Sequence, residues 1–431
     1  MKRKKKTSFK SSQQFVQEET CSYLPDDCWE IVFRFLVIND NNRHHYLNSL
    51  SLVSKQFLRL TNGLLFSLTV YDQTRPFVVR LFERFTHLNS LDLSHYHCYL
   101  NKLLRKISCS PLNITSLNIS NNPTIPVNGL RAFSKKVTTL TSLNASDIHS
   151  LKSSHLLLIA DCFPLLKQLN LGKSLRKSHT NAIHSLLSKC QHLQHLELDR
   201  SNFMNDQHVA QLTLFLADLV SINLNGCYML TEVSFFLLVR NCPSLSEIRM
   251  EDTAIGNQSV ENNDSLTDIG VYPQLKSLYL ANNIWLSDEN IIMFASSFPN
   301  LEMLDLSLCN DSYFEGIPQV LRRCYKIRHL NLAGCSFVDL FEKNFVVPKL
   351  EVLDLSDTDV HDETLYAISK SCPGLLELSL IDCDWFTEKG VKDVVENCKR
   401  LRQIVLGGSH ISDEIRKLAI DPSFSSVLKL I

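Results

Sequence analysis

Leu301-Glu302-Met303-Leu304-Asp305-Leu306 runs apolar-x-x-apolar-x-apolar, and this phrase decides the fold. Its first position falls at Leu88, Ile114, Leu140, Leu166, Leu193, Leu219, Leu245, Leu275, Leu301, Ile327, Leu350, Leu375 and Leu401. Successive occurrences lie 23 to 30 residues apart, most of them 26. Within the phrase the Leu-x-Leu step alternates with period two, the mark of a short strand with one buried face. A helical pattern follows it, as in Glu289-Asn290-Ile291-Ile292-Met293-Phe294-Ala295 behind Ser287, whose hydroxyl suits a helix N-cap. Asn241-Cys242-Pro243, Ser297-Phe298-Pro299 and Ser371-Cys372-Pro373 then lead back to the next leucine.

One such unit cannot bury its own apolar face, but stacked units can. The expected fold is therefore α/β: a parallel-stranded horseshoe of about 13 repeats with helices on its convex side. The ninth position reads Asn122, Ser201, Cys227, Thr253, Asn283, Cys309, Cys335, Thr358 and Cys383, small polar or thiol groups suited to a turn that leaves a strand. In this the chain resembles the cysteine-containing class of leucine-rich repeats. Leu65-Phe66-Ser67-Leu68-Thr69-Val70 fits the phrase as a capping strand, and Val427-Leu428-Lys429-Leu430 stands where a further strand is due, either as a cap or as a truncated repeat. The seventh repeat is irregular: residues 254–273, around Glu261-Asn262-Asn263-Asp264, lack an amphipathic helix and read as a loop.

The 431 residues carry 44% hydrophobic and 21% charged side chains and a formal charge of −1, which gives no overall pull toward nucleic acid or anionic membrane. No apolar run reaches bilayer length and no secretory h-region opens the chain, so a cytoplasmic or nuclear location is expected. The 14 cysteines recur at repeat spacing rather than as CxxC pairs, which favours buried structural thiols over disulfides or zinc. Lys2 to Lys6 begin a basic tail, expected over residues 1–20, that reads as a solubilising or nuclear-import segment.

Leu24-Pro25-Asp26-Asp27-Cys28-Trp29-Glu30-Ile31-Val32-Phe33-Arg34-Phe35-Leu36 has good helix-start chemistry, with proline in the first turn and two aspartates at the positive end of the dipole. Leu24, Cys28, Ile31, Phe35 and Leu36 form an apolar stripe that Trp29 and Phe33 widen, so the helix has both a core face and a partner face. After a loop holding His44 and His45 comes Leu47-Asn48-Ser49-Leu50-Ser51-Leu52-Val53-Ser54-Lys55-Gln56-Phe57. Residues 21–62 thereby resemble a three-helix F-box, with Ser54 where that family has cysteine and Phe57 where it has tryptophan. Residues 63–87 then serve as linker and capping strand, and 88–431 as the solenoid.

The combination is similar to the F-box/leucine-rich-repeat proteins abundant in plants. It implies the substrate-recognition subunit of an SCF-type (Skp-cullin-F-box) ubiquitin ligase, without catalysis of its own. The resemblance assigns adaptor contacts to Leu24, Pro25, Ile31, Leu52, Val53 and Phe57. It implies a Skp-type adaptor and, through it, a cullin-RING ligase as partners, with a target protein on the repeats for proteasomal degradation. The alternative is a non-ligase repeat scaffold with a vestigial F-box. Neither nucleic acid nor membrane is an expected partner.

Repeat positions three, five and seven face the concave side. They carry Asp92, Glu197, Asp199, Glu247, Glu251, Asp305, Asp354 and Glu377 against Arg249 alone, a strip of net −7. The densest part holds His195, Glu197, Asp199, Asn225, Glu247, Arg249, Glu251 and Tyr279, expected to bind a basic or polar segment of the target; a plain solvated strand face is the alternative. Plant hormone receptors of similar architecture use a basic floor for an inositol phosphate, and a strip with one arginine is a poor polyphosphate site, so no cofactor is expected. Gly172-Lys173-Ser174 reads as a repeat turn rather than a phosphate loop, and His192-x-x-His195 lacks a third metal ligand. The sequons at Asn113 and Asn144 have no secretory context. No nucleophile or acid–base pair emerges from the spacing.

Overall fold

The computed structural model describes residues 24–38, 45–257, 270–309, 315–336, 345–408 and 412–431. The basic run Lys2–Lys6, His44 and the passage Glu261–Asp264 lie outside the described residues. The chain divides into two compact units, Met1–Phe66 and Ser67–Ile431.

The described part of the first unit is helical: α1 (Asp26–Ile38), α2 (His45–Ser51) and α3 (Lys55–Gly63). Phe33, Leu47 and Leu64 are buried together, and Trp29, Leu50, Phe57, Leu60 and Leu65 pack against them. The Phe57 ring centre lies 4.8 Å from that of Trp29 and 4.9 Å from that of Phe33. Ser54 is the N-cap of α3, its hydroxyl accepting from the Phe57 N–H at 3.1 Å. Asp26 ties α1 to α3 by accepting from Gln56 Nε2 at 2.6 Å and pairing with Arg59.

The second unit is a leucine-rich-repeat solenoid. Among the described residues, fifteen parallel strands follow one another in chain order, each hydrogen-bonded to its sequence neighbours. Thirteen begin two residues after the thirteen phrase positions, Leu88 (repeat one) to Leu401 (repeat thirteen). The other two are Ser67–Thr69 and Leu428–Leu430, so both expected terminal strands join the sheet. Fourth positions align one to one, as in Leu91↔Leu117↔Leu143↔Leu169. The first-, fourth- and sixth-position residues, for example Leu88, Leu91 and Leu93, are buried, except for the half-buried Leu401 of repeat thirteen. Truncating one such leucine to alanine removes about 2–5 kcal/mol.

Three recurring positions shape the turn after most strands. Fifth-position Asp or Asn residues accept from the backbone N–H two residues on, as Asp92 does from Ser94 and Asn118 from Ser120. The eighth residue of repeats two to thirteen has a left-handed backbone, with φ between 55° and 110°. Nine of these twelve are Asn, Asp or Gly, the residues that pay least for that conformation, and the exceptions are Lys173, Arg200 and Leu308. Several ninth-position side chains donate to the sixth-position carbonyl of the repeat before: Asn122 to Leu93 (3.2 Å), Ser174 to Ala145 (3.1 Å), Cys309 to Leu280 (2.9 Å) and Cys335 to Leu306 (2.9 Å). These thiols are buried, and burial pushes Cys227 up to about 12 and Cys335 up to about 11.

Helices occupy the return path of most repeats. Ser287 caps Asp288–Ser297 by accepting from the Asn290 N–H, as its position predicts. Some repeats also help start the next helix. Asp288 accepts from the N–H groups of Glu315 and Gly316, and Asp362 from those of Thr387 and Gly390.

Candidate functional site

Two surfaces gather the residues singled out in the sequence. On the helical unit, Trp29 and Phe33 turn inward, which leaves the other face of α1 without cover from its own unit. Leu24, Pro25, Ile31, Leu52 and Val53 are all exposed, Ile31 at 65% and Leu52 at 87%. Phe57, expected beside them as a contact, packs against Trp29 and Phe33 instead. Its ring therefore braces α1 against α3. Phe35 (69% exposed) and Val32 enlarge the outward apolar face, and neither was assigned as a contact. Seven apolar side chains exposed on so small a unit are what a protein-binding surface requires.

On the solenoid, strand register sets the acidic strip. His195, Ser221, Glu247 and Ser277 lie side by side, as do Glu197, Asn223, Arg249 and Tyr279. Arg249 Nε donates to Glu247 Oε1 at 2.8 Å, and its guanidinium carbon lies 3.9 Å from the Tyr279 ring centre. The strip's single fixed cation is thus already paired and stacked. Asn225 is committed to the scaffold: its Oδ1 accepts from the Glu251 N–H, and its own N–H donates to Asn223.

Glu197 accepts a hydrogen bond from Asn170. Burial, with Asp199 beside it, raises the Glu197 carboxyl above its ordinary value, although the residue as a whole is exposed. Burial also raises Asp199, with Asp147 adding to the effect. Gly172 makes room for Asp199: a Cβ at Gly172 would fall 1.8 Å from Asp199 Oδ1. Gly172-Lys173-Ser174 is accordingly the seventh-to-ninth-position turn of repeat four. A shallow depression of about 310 Å³, lined by Asn144, Asn170, His195 and Glu197 among others, opens on this strip.

Asp92, Asp305 and Asp354 differ from the other acids of the strip. Each accepts from both the N–H and the hydroxyl of the serine two residues on. Those hydrogen bonds leave each with fewer free lone pairs for a ligand. His192 sits away from His195, 3.4 Å from Asp218. Among the described residues no cluster of three or more His, Cys, Asp or Glu converges as a metal site, and no helix is long and apolar enough to cross a membrane.

Comparison with known families matches residues 21–68 to the F-box domain. Residues 300–421 match the family described as "FBD-associated F-box protein At5g56370, LRR repeats". Among curated proteins, the chain is 30% identical over 128 residues to "Antagonist of mitotic exit network protein 1" of Eremothecium gossypii, covering 28% of this chain and 33% of that protein. It is 24% identical over 359 residues to "Putative RNA-binding protein EEED8.10" of Caenorhabditis elegans, covering 77% of this chain and 46% of that one. The matches thus span a third to just under half the length of these relatives. Among solved structures, a chain of the Rad7 and Elc1 complex in yeast is similar at 16% identity and a TM-score of 0.47, covering 88% of this chain and 96% of that one. LegL7 from Legionella pneumophila is similar at 16% identity and a TM-score of 0.43, covering 64% and 93%.

Proposed function

We propose that this F-box/leucine-rich-repeat protein is the substrate-recognition subunit of an SCF-type ubiquitin ligase, held by a Skp-type adaptor at its F-box and holding a target on its repeats. The observation that carries the reading is the exposure of Leu24, Pro25, Ile31, Leu52 and Val53 outside a core closed by Trp29, Phe33 and Phe57. A self-contained helical unit gains nothing from exposing those side chains unless a partner covers them. F-box and leucine-rich-repeat modules are typically non-catalytic, and such a subunit works by raising the local concentration of the target at the ligase.

The target would lie against His195, Glu197, Asp199, Glu247, Arg249, Glu251 and Tyr279. Asn225 contributes through the backbone it braces. The strip's excess of carboxylates suits a basic segment of the target. Reversing the charges at Glu197, Asp199 and Glu251 is expected to abolish target capture, and unchanged capture would remove the strip from the site.

Co-precipitation of the full chain with a Skp-type adaptor tests the primary role. Wild type should bind, and Leu52→Ala/Val53→Ala should not. Both side chains are exposed, so the double variant keeps its fold. No binding by wild type would leave a repeat scaffold with a vestigial F-box.

A further inference from the structure

A second charged surface, of opposite sign, lies on the rim where the chain enters the strands of repeats nine to thirteen. Lys326, Lys349 and Arg400 each immediately precede the first apolar position of their repeat, and all three line one open cleft of about 360 Å³. The acids of that cleft are already matched: Glu302 pairs with Lys276 at 3.7 Å, and Glu351 takes the Arg328 guanidinium at 2.7 Å. Among the described residues no carboxylate pairs with Lys326, Lys349 or Arg400, so the cleft holds three surplus positive charges. Tyr325 collects two of them, with Lys349 Nζ 5.5 Å and Lys326 Nζ 5.8 Å from its ring centre.

The geometry points to a binding cleft for an extended acidic peptide segment of a partner protein. Adjacent parallel strands are about 4.8 Å apart. Lys326 and Lys349 belong to adjacent repeats and Arg400 to one two repeats further on, so the cations are strung over roughly 14 Å. Every second side chain of an extended peptide advances about 6.7 Å, so alternate acidic residues span the same length. Cations spread along a line suit a run of carboxylates better than one compact anion. The cleft lies on the rim, apart from the acidic strand face, and its assignment does not depend on adaptor binding.

Fluorescence anisotropy with the full chain tests this. The probe is a labelled peptide of alternating Glu and Ser. Beside it stand its Glu-to-Gln counterpart, that counterpart carrying one phosphoserine, and a mixed-sequence single-stranded RNA. The Glu peptide should bind wild type and weaken with added salt, and the Gln peptide should not bind. Lys326→Ala/Lys349→Ala/Arg400→Ala should weaken the Glu peptide by about tenfold or more. None of these three residues is buried, so the core is untouched. Arg131→Ala/Lys135→Ala/Lys136→Ala, with the same change in charge on an exposed stretch elsewhere, should bind as wild type does. Equal binding by wild type and the cleft variant, or no binding of the Glu peptide at all, would overturn the inference. Tighter binding of the phosphoserine peptide or the RNA, lost in the cleft variant, would also overturn it by giving the cleft to another ligand. Because the assay contains no adaptor, its failure leaves the ligase reading untouched.

Discussion

Both carboxylate oxygens of Asp206 accept from Thr231, one from the backbone N–H at 3.0 Å and the other from the hydroxyl at 2.8 Å. Asp206 opens the helix of repeat five, and Thr231 is the N-cap of the helix of repeat six. Asp206 also takes hydrogen bonds from the Ser234 N–H and hydroxyl, so one carboxylate anchors the start of the neighbouring helix. Asp206→Ala is expected to lower the unfolding free energy by about 1–3 kcal/mol. Urea denaturation measures this, and a change within error would show that the caps are independent.

The buried ladder at position nine makes a graded prediction. Asn283 donates to the Met250 and Leu280 carbonyls and accepts from the N–H and hydroxyl of Thr253. Asn283→Ala strands several buried groups and should cost about 3 kcal/mol or more. Cys335→Ser keeps a donor of similar size aimed at Leu306 and should cost about 1 kcal/mol. Similar losses for both variants would contradict the ladder.

Leu308 holds a left-handed backbone, φ 57°, that suits glycine or asparagine far better than leucine. Leu308→Asn should therefore raise stability by about 1 kcal/mol, read as a higher melting temperature. Gly334→Ala should lower it, since Gly334 has φ 66° and a Cβ there would come 2.4 Å from Leu308 Cδ2. A stabilised Gly334→Ala protein would refute this account of the turn.

Three consecutive repeats use histidine to close a helix start. His155, His179 and His208 accept through Nδ1 from the backbone N–H of Lys152, Arg176 and Asn205. Burial lowers all three below the ordinary histidine value of 6.5. Lys152 and His179 add to this for His155, Arg176 for His179, and Lys177 and His184 for His208. The unfolded chain takes up these protons as the pH falls through 6.5, while the folded chain resists. Their stabilisation is thus complete above pH 6.5 and is lost as the pH drops through the lowered folded values. Denaturation at several pH values should show this fall. His155→Gln/His179→Gln/His208→Gln keeps an acceptor at each site and should flatten it, whereas an undiminished slope would assign the effect to other groups.

The strands were legible because the leucine phrase encodes them directly, one strand for each of its thirteen occurrences. The face of α1 was legible only in part: Trp29 and Phe33 share a helix with Ile31 and Phe35, and periodicity alone does not say which pair meets the core. Packing against Phe57 decides it, and that contact joins α1 to α3 across a loop. The strip's charges were readable, but their commitments were not. Asp92, Asp305 and Asp354 each precede a serine by two residues, an Asp-x-Ser signal for a local turn that a count of charges passes over. The columns at positions five and eight were equally visible as runs of Asn, Asp and Gly once the repeats were aligned. The rim cleft was hidden for a different reason: its three surplus cations lie 23, 51 and 74 positions apart and meet only because the repeats stack.

Among the described residues, each strand of the sheet pairs only with the strands one repeat before and after it, so no strand clasps distant parts of the sheet together. Opening can begin at either end and advance repeat by repeat, with the interior yielding last, and amide exchange should slow from the terminal strands inward. The same arrangement makes the repeat a unit of inheritance. Duplication or loss of one 26-residue block would leave the contacts inside the remaining blocks intact. It would still change which charges stand next to one another on the strand face and on the rim, and so which proteins the surface can hold.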